Sequence, residues 1–331
     1  MEFYATLGAA CADRETILAL FRAGMTGARL NLSHTSLDAC AGLLTEEFYP
    51  AARAAGIARP HLILDLQGPE LRVGALPHPL ELPEGGQVLL GPGGIPVPAC
   101  VVDASRPGQE IALDDSALLL RVEAREPEGL RCRVLRGGVL QSRKSLALLG
   151  VCLDTPALTG ADLDNLDRAA RFGVTHILQP FVRGRADVEA VRAALAERGL
   201  DGVQIMAKIE NRLGLEYLEE ILDCADQICI ARGDLGNAMP LWELPSVQKD
   251  IARRCRARGI PFCLVTQLLW SMERRPVPTR AEVCDIYNGV LDGAAALMLT
   301  GETAVGRYPV QAMEYMVRTA GRAMADFSEE D

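Results

Sequence analysis

Within residues 205–236, IMAKIENRLGLEYLEEILDCADQICIARGDLG, a lysine and two carboxylates stand at the ends of two apolar runs. Lys208 and Glu210 close the first run, and Asp234 follows the second after Arg232-Gly233. If both runs are strands, their ends deliver all three side chains to one site. Two carboxylates hold a hard divalent cation such as Mg²⁺ or Mn²⁺, and an ammonium beside them neutralises the charge on a transferring phosphoryl group. That is the outline of phosphoryl transfer. The two-residue spacing of Lys208 and Glu210 equally suits an exposed ion pair on one face of a strand end, and spacing alone leaves both readings open.

The elements that would carry these residues recur along the chain. Strand-like runs lie at 3–8, 28–32, 61–66, 176–182, 203–209, 227–231, 261–267 and 295–300, each followed by a polar turn and most by a helical pattern. Eight such units predict an α/β fold, a closed (β/α)₈ TIM barrel whose strands are apolar almost throughout because both faces are covered. In that fold the chemistry sits at strand C-termini. Arg29-Leu30-Asn31, Asp65, Lys208-Ile209-Glu210, Arg232-Gly233-Asp234, Thr266-Gln267 and Thr300-Gly301-Glu302 all fall there. An open doubly wound sheet is the alternative, but it wants a glycine-rich phosphate turn after the first strand, where Thr6-Leu7-Gly8-Ala9-Ala10 has one glycine.

From Arg72 to about Lys144 helical periodicity fades and Pro, Gly and short Val/Leu runs take over. We expect residues 73–144 to form a small β domain inserted after the third strand, with 1–72 and 145–331 forming the barrel. Such an insertion is placed to close over the barrel mouth as a lid. Gly91–Gly94 reads as a hairpin turn rather than a phosphate cradle, since no helix is expected after it. A single further helix, from Pro309 to about Asp326, is expected after Thr300-Gly301-Glu302-Thr303.

Composition excludes several classes. A net charge of −10 argues against a nucleic-acid partner, whose phosphates call for clustered basic surface. The densest basic run, Arg253-Arg254-Cys255-Arg256-Ala257-Arg258, ends just before Gly259-Ile260-Pro261, as a helix C-terminus facing its own dipole would. Ten cysteines without a CxxC spacing suggest neither a zinc site nor a disulfide framework, and a reducing cytoplasm is the simplest setting. No signal-like N-terminus and no long apolar run is present, so neither export nor membrane insertion is expected.

Several stretches together resemble one family, pyruvate kinase. They are Ala23-Gly24-Met25, Ala28-Arg29-Leu30-Asn31-Leu32-Ser33-His34, Leu64-Asp65-Leu66-Gln67-Gly68-Pro69-Glu70-Leu71-Arg72 and Met206-Ala207-Lys208-Ile209-Glu210-Asn211. Ala231-Arg232-Gly233-Asp234-Leu235-Gly236, Pro278-Thr279-Arg280-Ala281-Glu282, Leu291-Asp292-Gly293-Ala294 and Leu299-Thr300-Gly301-Glu302-Thr303-Ala304 continue the series in the family's order. The resemblance implies a barrel, an inserted β domain after strand three and usually a C-terminal regulatory α/β domain, which this chain is expected to lack. Any homo-oligomer would then use barrel surfaces.

The implied reaction moves the phosphoryl group of phosphoenolpyruvate to ADP. By resemblance, Glu210 and Asp234 ligate Mg²⁺ or Mn²⁺, Lys208 steadies the transferring group and Arg29 holds the phosphate. Asn31, Ser33 and Asp65 match the family's K⁺ ligands; Leu66 and Gln67 replace the usual threonine and lysine, though the Leu66 carbonyl could still serve the cation, and Glu70 matches the acidic position that accompanies potassium dependence. The amides at Gly233 and Asp234, with the Thr266 hydroxyl, would receive the substrate carboxylate, and Thr266 and Thr300 would carry the proton relay to the enolate. His34, Arg72 and Lys144 match contacts to ADP. The chain departs from the family's pattern at Pro180, where serine is usual, and at Asn237-Ala238-Met239, where a carboxylate is lost. A protein that binds phosphoenolpyruvate and metal without turnover, acting through a partner, is the alternative function.

Overall fold

The computed structural model describes residues 1–33, 35–114, 116–151, 153 and 155–328, residues 327 and 328 by backbone alone. The chain divides into two compact units, Met1–Gly68 with Ala157–Asp331, and Pro69–Pro156. In the first unit eight parallel strands close a barrel in chain order: β1 (Glu2–Thr6), β2 (Gly27–Asn31), β3 (His61–Asp65), β4 (His176–Gln179), β5 (Gln204–Ile209), β6 (Gln227–Ala231), β7 (Phe262–Val265) and β8 (Ala296–Leu299). The alternative of an open sheet is therefore excluded, since β8 pairs with β1.

Each expected run overlaps one of these strands; β1 and β2 start one residue earlier, and several strands stop earlier than expected. The backbone leaves the extended region just past them: Phe181, Thr266 and Gln267 all have positive φ. Hydrophobicity continues past the last ladder bond, so it overstates strand length.

Strand alternation sorts the side chains. Ala5, Ala28, Leu30, Leu62, Leu64, Ile177, Ile205, Ala207, Ile209, Ile228 and Leu297 pack into the large core shared with the surrounding helices. Tyr4, Ile63, Leu178, Met206, Cys229, Cys263, Ala296 and Met298, out of step by one residue, form a separate cluster inside the ring. Continuing that inner register by two residues toward the strand ends reaches Thr6 on β1, Asp65 on β3 and Lys208 on β5, with Glu210 just past its end. A polar layer thus caps an apolar one.

The helix Leu244–Arg258 carries the basic run and ends on Gly259 with φ +67°, the left-handed cap expected of a helix C-terminus. Arg254 and Arg258 reach Glu219, and Arg258 also pairs with Asp223, so the run is tied into neighbouring acidic side chains. Among the described residues no helix is long and apolar enough to cross a membrane.

The second unit extends beyond the expected 73–144 at both ends. The reason is pairing: Leu71–Arg72 runs antiparallel to Ser145–Leu148, so both belong to the inserted sheet. That sheet has six strands, with Glu110–Leu113, Leu118–Glu126, Gly129–Arg136 and Gln87–Leu90 following in order. Gln87–Leu90 pairs with Gly129–Arg136. Gly91–Gly94 therefore does not join two strands of a hairpin. It is a tight loop closed by Gly94 N–H to Gly91 O and Ile95 N–H to Leu89 O, and a short helix, Ala99–Ala104, follows it against expectation.

Low in the barrel, His176 lies with its ring 4.9 Å from that of His61 and 6.5 Å from that of Tyr4. Burial, reinforced by His61, pushes its pKa down to about 4. A depressed histidine favours the fold in its neutral form, so its contribution is full above about pH 6.5 and is lost as pH falls toward 4. The difference is worth on the order of 3 kcal/mol at most. Urea titrations at pH 7 and pH 4.5 should show a smaller acid loss of stability in His176→Gln than in the unaltered chain. An identical loss in both would remove His176 from the acid response.

Candidate active site

The polar layer is built from side chains of β1, β2, β3 and β5. Arg29 is the hub on one side: its Nε and Nη2 donate to Asp65 Oδ2 at 2.9 and 2.5 Å, and its Nη1 donates to Thr6 Oγ1 at 2.8 Å. The Thr6 hydroxyl in turn donates to the Leu299 carbonyl at 2.9 Å, linking β1 to β8. Asp65 is also the bridge to Lys208, whose Nζ lies 3.4 Å from Oδ1. On its other side Lys208 Nζ is 2.9 Å from Glu210 Oε1. All four charged groups are buried or nearly so, Glu210 having only 2% of its surface exposed. The exposed ion pair left open by the spacing is thereby excluded.

Asp234 lies on the short helix Arg232–Asn237, directly after β6, and its charge acts on both Lys208 and Glu210. Lys208, Glu210 and Asp234 thus stand within electrostatic reach of one another, past the ends of neighbouring parallel strands. Two cations, Arg29 and Lys208, stand against three carboxylates, Asp65, Glu210 and Asp234, so the layer is one negative charge in excess when all are ionised. Burial alone would lower the Lys208 pKa, but Asp65 and Glu210 outweigh it and hold the ammonium above the ordinary lysine range. For Glu210, burial pushes the carboxyl up to about 7, with Lys208 opposing the rise and Asp234 adding to it.

Glu210 carries the observation that bears on a metal. Its Oε2 accepts the Phe181 N–H at 2.8 Å, whereas Oε1 is buried without a hydrogen-bond partner, its contact with Lys208 being an ion pair outside hydrogen-bonding angles. A buried carboxylate oxygen with unused lone pairs, next to a second carboxylate and an excess negative charge, fits a hard divalent cation.

The chain matches the family model described as "Pyruvate kinase, barrel domain" over residues 95–313. It is 38% identical to the pyruvate kinase of Aeropyrum pernix over 98% of this chain and 70% of that protein. The chain belongs to the pyruvate kinase family. It is also 39% identical to human pyruvate kinase PKLR, over 97% of this chain and 59% of that protein, and 37% identical to the pyruvate kinase of Geobacillus stearothermophilus, over 96% and 56%. The chain thus spans between 56% and 70% of the length of these pyruvate kinases.

The remaining residues expected from the pyruvate kinase resemblance fall in three places. Asn31 ends β2, and its side-chain oxygen accepts the Ser33 N–H at 3.1 Å. Leu66 directly follows Asp65. Thr266 directly follows β7 with φ +77°, and Thr300 directly follows β8 with its N–H and hydroxyl both donating to Glu302 Oε2, at 2.8 and 3.2 Å. Arg72 and Lys144 lie in the second unit, Arg72 against Glu70 at 2.8 Å and Lys144 against Asp114 at 2.8 Å. His34 lies outside the described residues.

Two contributors escape a reading by residue type. Phe181 acts through its backbone N–H, with φ +52°, and no motif of side chains announces that. Pro180 before it packs so closely on Gly68 that a Cβ there would come 2.4 Å from Pro180 Cγ; Gly68 has φ +58°. The departure at Pro180 therefore shapes the turn that aims Phe181 at Glu210. Thr6 was findable in principle, since it stands two residues after Tyr4 in the inner register of β1.

Proposed function

We propose that the chain transfers the phosphoryl group of phosphoenolpyruvate to ADP, giving pyruvate and ATP, with Mg²⁺ or Mn²⁺ and K⁺ as its ions. The observation that carries this reading is the buried Lys208–Glu210 pair with its unused carboxylate oxygen, set beside Asp234 and Arg29 in a chain of the pyruvate kinase family.

Glu210 and Asp234 would hold the divalent ion. Among the described residues no group of three or more His, Cys, Asp or Glu forms a metal cage, and two carboxylates with open positions is how Mg²⁺ is commonly held when substrate completes the shell. When bound, the ion polarises substrate oxygens and offsets negative charge. Asn31, Ser33, Asp65 and the Leu66 carbonyl would take K⁺, Asp65 doing so while shared between Arg29 and Lys208.

Transfer breaks the bond between phosphorus and the enol oxygen and forms one between phosphorus and a terminal oxygen of ADP. The electron pair stays on the enolate, which takes one proton at its methylene carbon to become pyruvate. Lys208 would neutralise the phosphoryl oxygens as that charge spreads, and Arg29 would hold the phosphate. Gly233 and Asp234 amides, with the Thr266 hydroxyl, would orient the substrate carboxylate. Thr300 donates its proton to Glu302, so within a water relay its hydroxyl oxygen is the accepting end. Arg72, Lys144 and His34 would serve the nucleotide.

An assay coupling pyruvate formation to ADP, run with and without Mg²⁺ and K⁺, tests the reading. ATP and pyruvate should appear in equal amounts and require both ions. Saturable phosphoenolpyruvate binding without turnover would favour the binding protein instead, and pyruvate without ATP would point to hydrolysis.

A further inference from the structure

Thr266 has φ +77°, a conformation that a β-branched residue rarely adopts, and the following Gln267 has φ +56°. Something outside the strand must hold it there. The Thr266 carbonyl accepts two bonds from the Arg232 guanidinium, Nε at 3.2 Å and Nη2 at 2.7 Å. The third nitrogen, Nη1, lies 2.5 Å from Asp285 Oδ2 on the helix Arg280–Leu291. Arg232 is thus committed at every nitrogen to fixing the exit of β7, and little of its side chain is exposed. From the other side the backbone of Gly233 closes on the threonine: a Cβ at Gly233 would stand 3.1 Å from Thr266 Cγ2. The carbonyl is pulled one way and the methyl is backed by main chain, so the direction in which the Thr266 side chain leaves the strand is set twice.

We propose that Arg232, steadied by Asp285, is a positioning residue that locks Thr266 in its left-handed conformation and so aims its hydroxyl for the reaction, without itself touching substrate. The inference rests on the proposed phosphoryl transfer for its kinetic consequence. Its structural half, the clamp, stands apart from turnover. Arginine serves here because its planar fork grips one carbonyl with two donors while the third nitrogen faces away to a carboxylate, which a lysine cannot do.

The test is a double-mutant cycle with a structure beside it. Arg232→Met should lower kcat about a hundredfold, as a small misplacement of an orienting group does, with the KM for phosphoenolpyruvate and the Mn²⁺ affinity within about threefold of the unaltered chain. In a Thr266→Ala background the same change should cost less than about threefold more, because its target is already gone. Losses that multiply in full would mean that Arg232 acts on substrate or metal directly, which overturns the proposal. If Arg232→Met fails to fold, Arg232→Lys enters the same cycle, with an expected loss of at least about tenfold and the same judgement. A crystal structure of the variant decides the clamp without any turnover: Thr266 should move to negative φ, and a Thr266 still near +77° would sink the idea. An unaltered chain making no pyruvate would remove the proposed reaction, leaving the crystallographic result to judge the clamp alone.

Discussion

Lys208→Met should lower both kcat and kcat/KM for ATP formation by on the order of a thousandfold, the upper end of what one preorganised charge-stabilising group is worth. The lysine is the one ammonium in the polar layer, 2.9 Å from Glu210 and 3.4 Å from Asp65, and its proton is held firmly by those carboxylates. Such a group interacts more strongly with the transferring phosphoryl than with bound phosphoenolpyruvate, so the loss falls on turnover and little on KM. Removing it also leaves Glu210 buried without its cation, at a cost of up to about 3–5 kcal/mol. Asp65 is spared most of this because Arg29 still grips it with two nitrogens. The folded fraction and Mn²⁺ binding of the variant should therefore be measured beside its rates. A folded variant that binds Mn²⁺ and keeps more than about a tenth of the original kcat would strip Lys208 of the role.

That Lys208 and Glu210 share a face was legible from their spacing, and that they stand at a barrel strand's C-terminus followed once eight apolar runs were counted. Burial was not legible. A strand end is exposed or buried according to what the neighbouring strands bring to the same level, and here Arg29, Asp65 and Thr6 arrive from strands far apart in sequence. Asp65 shows the cost of reading residues singly: as an oxygen ligand it suits K⁺, yet its carboxylate is shared between Arg29 and Lys208. The strand ends were blurred for a related reason. Hydrophobicity runs on past the ladder, while left-handed turns at Phe181, Thr266 and Gln267 leave no mark in residue type. Arg232 stood in plain view before Gly233-Asp234, but its work is done on a main-chain carbonyl, and backbone acceptors are invisible in a list of side chains. The second unit began earlier and ended later than its composition suggested because strand pairing, not the loss of helical periodicity, decides which sheet a residue joins.

Glu210→Gln separates a metal ligand from a structural ion pair, because only the first role predicts a loss of Mn²⁺ affinity. If Glu210 serves only to partner Lys208, the amide leaves that ammonium half-satisfied, and stability should fall by about 3–5 kcal/mol while Mn²⁺ binding is untouched. If it is a ligand, Mn²⁺ affinity should fall by at least about a hundredfold, the upper range already seen when groups merely supporting a ligand are lost. Metal-free stability should change alike under either role, because Lys208 lies 2.9 Å from Glu210 whether or not a metal binds, so the Mn²⁺ affinity is the deciding quantity. The amide oxygen also remains able to accept the Phe181 N–H, so the turn at Pro180 keeps its anchor. Mn²⁺ titration followed by electron paramagnetic resonance, with urea unfolding of the metal-free protein, reads both quantities on one sample. A destabilised variant that still binds Mn²⁺ as the unaltered chain does would move the divalent site away from Glu210, and with it the phosphoryl-transfer geometry built around the unused oxygen.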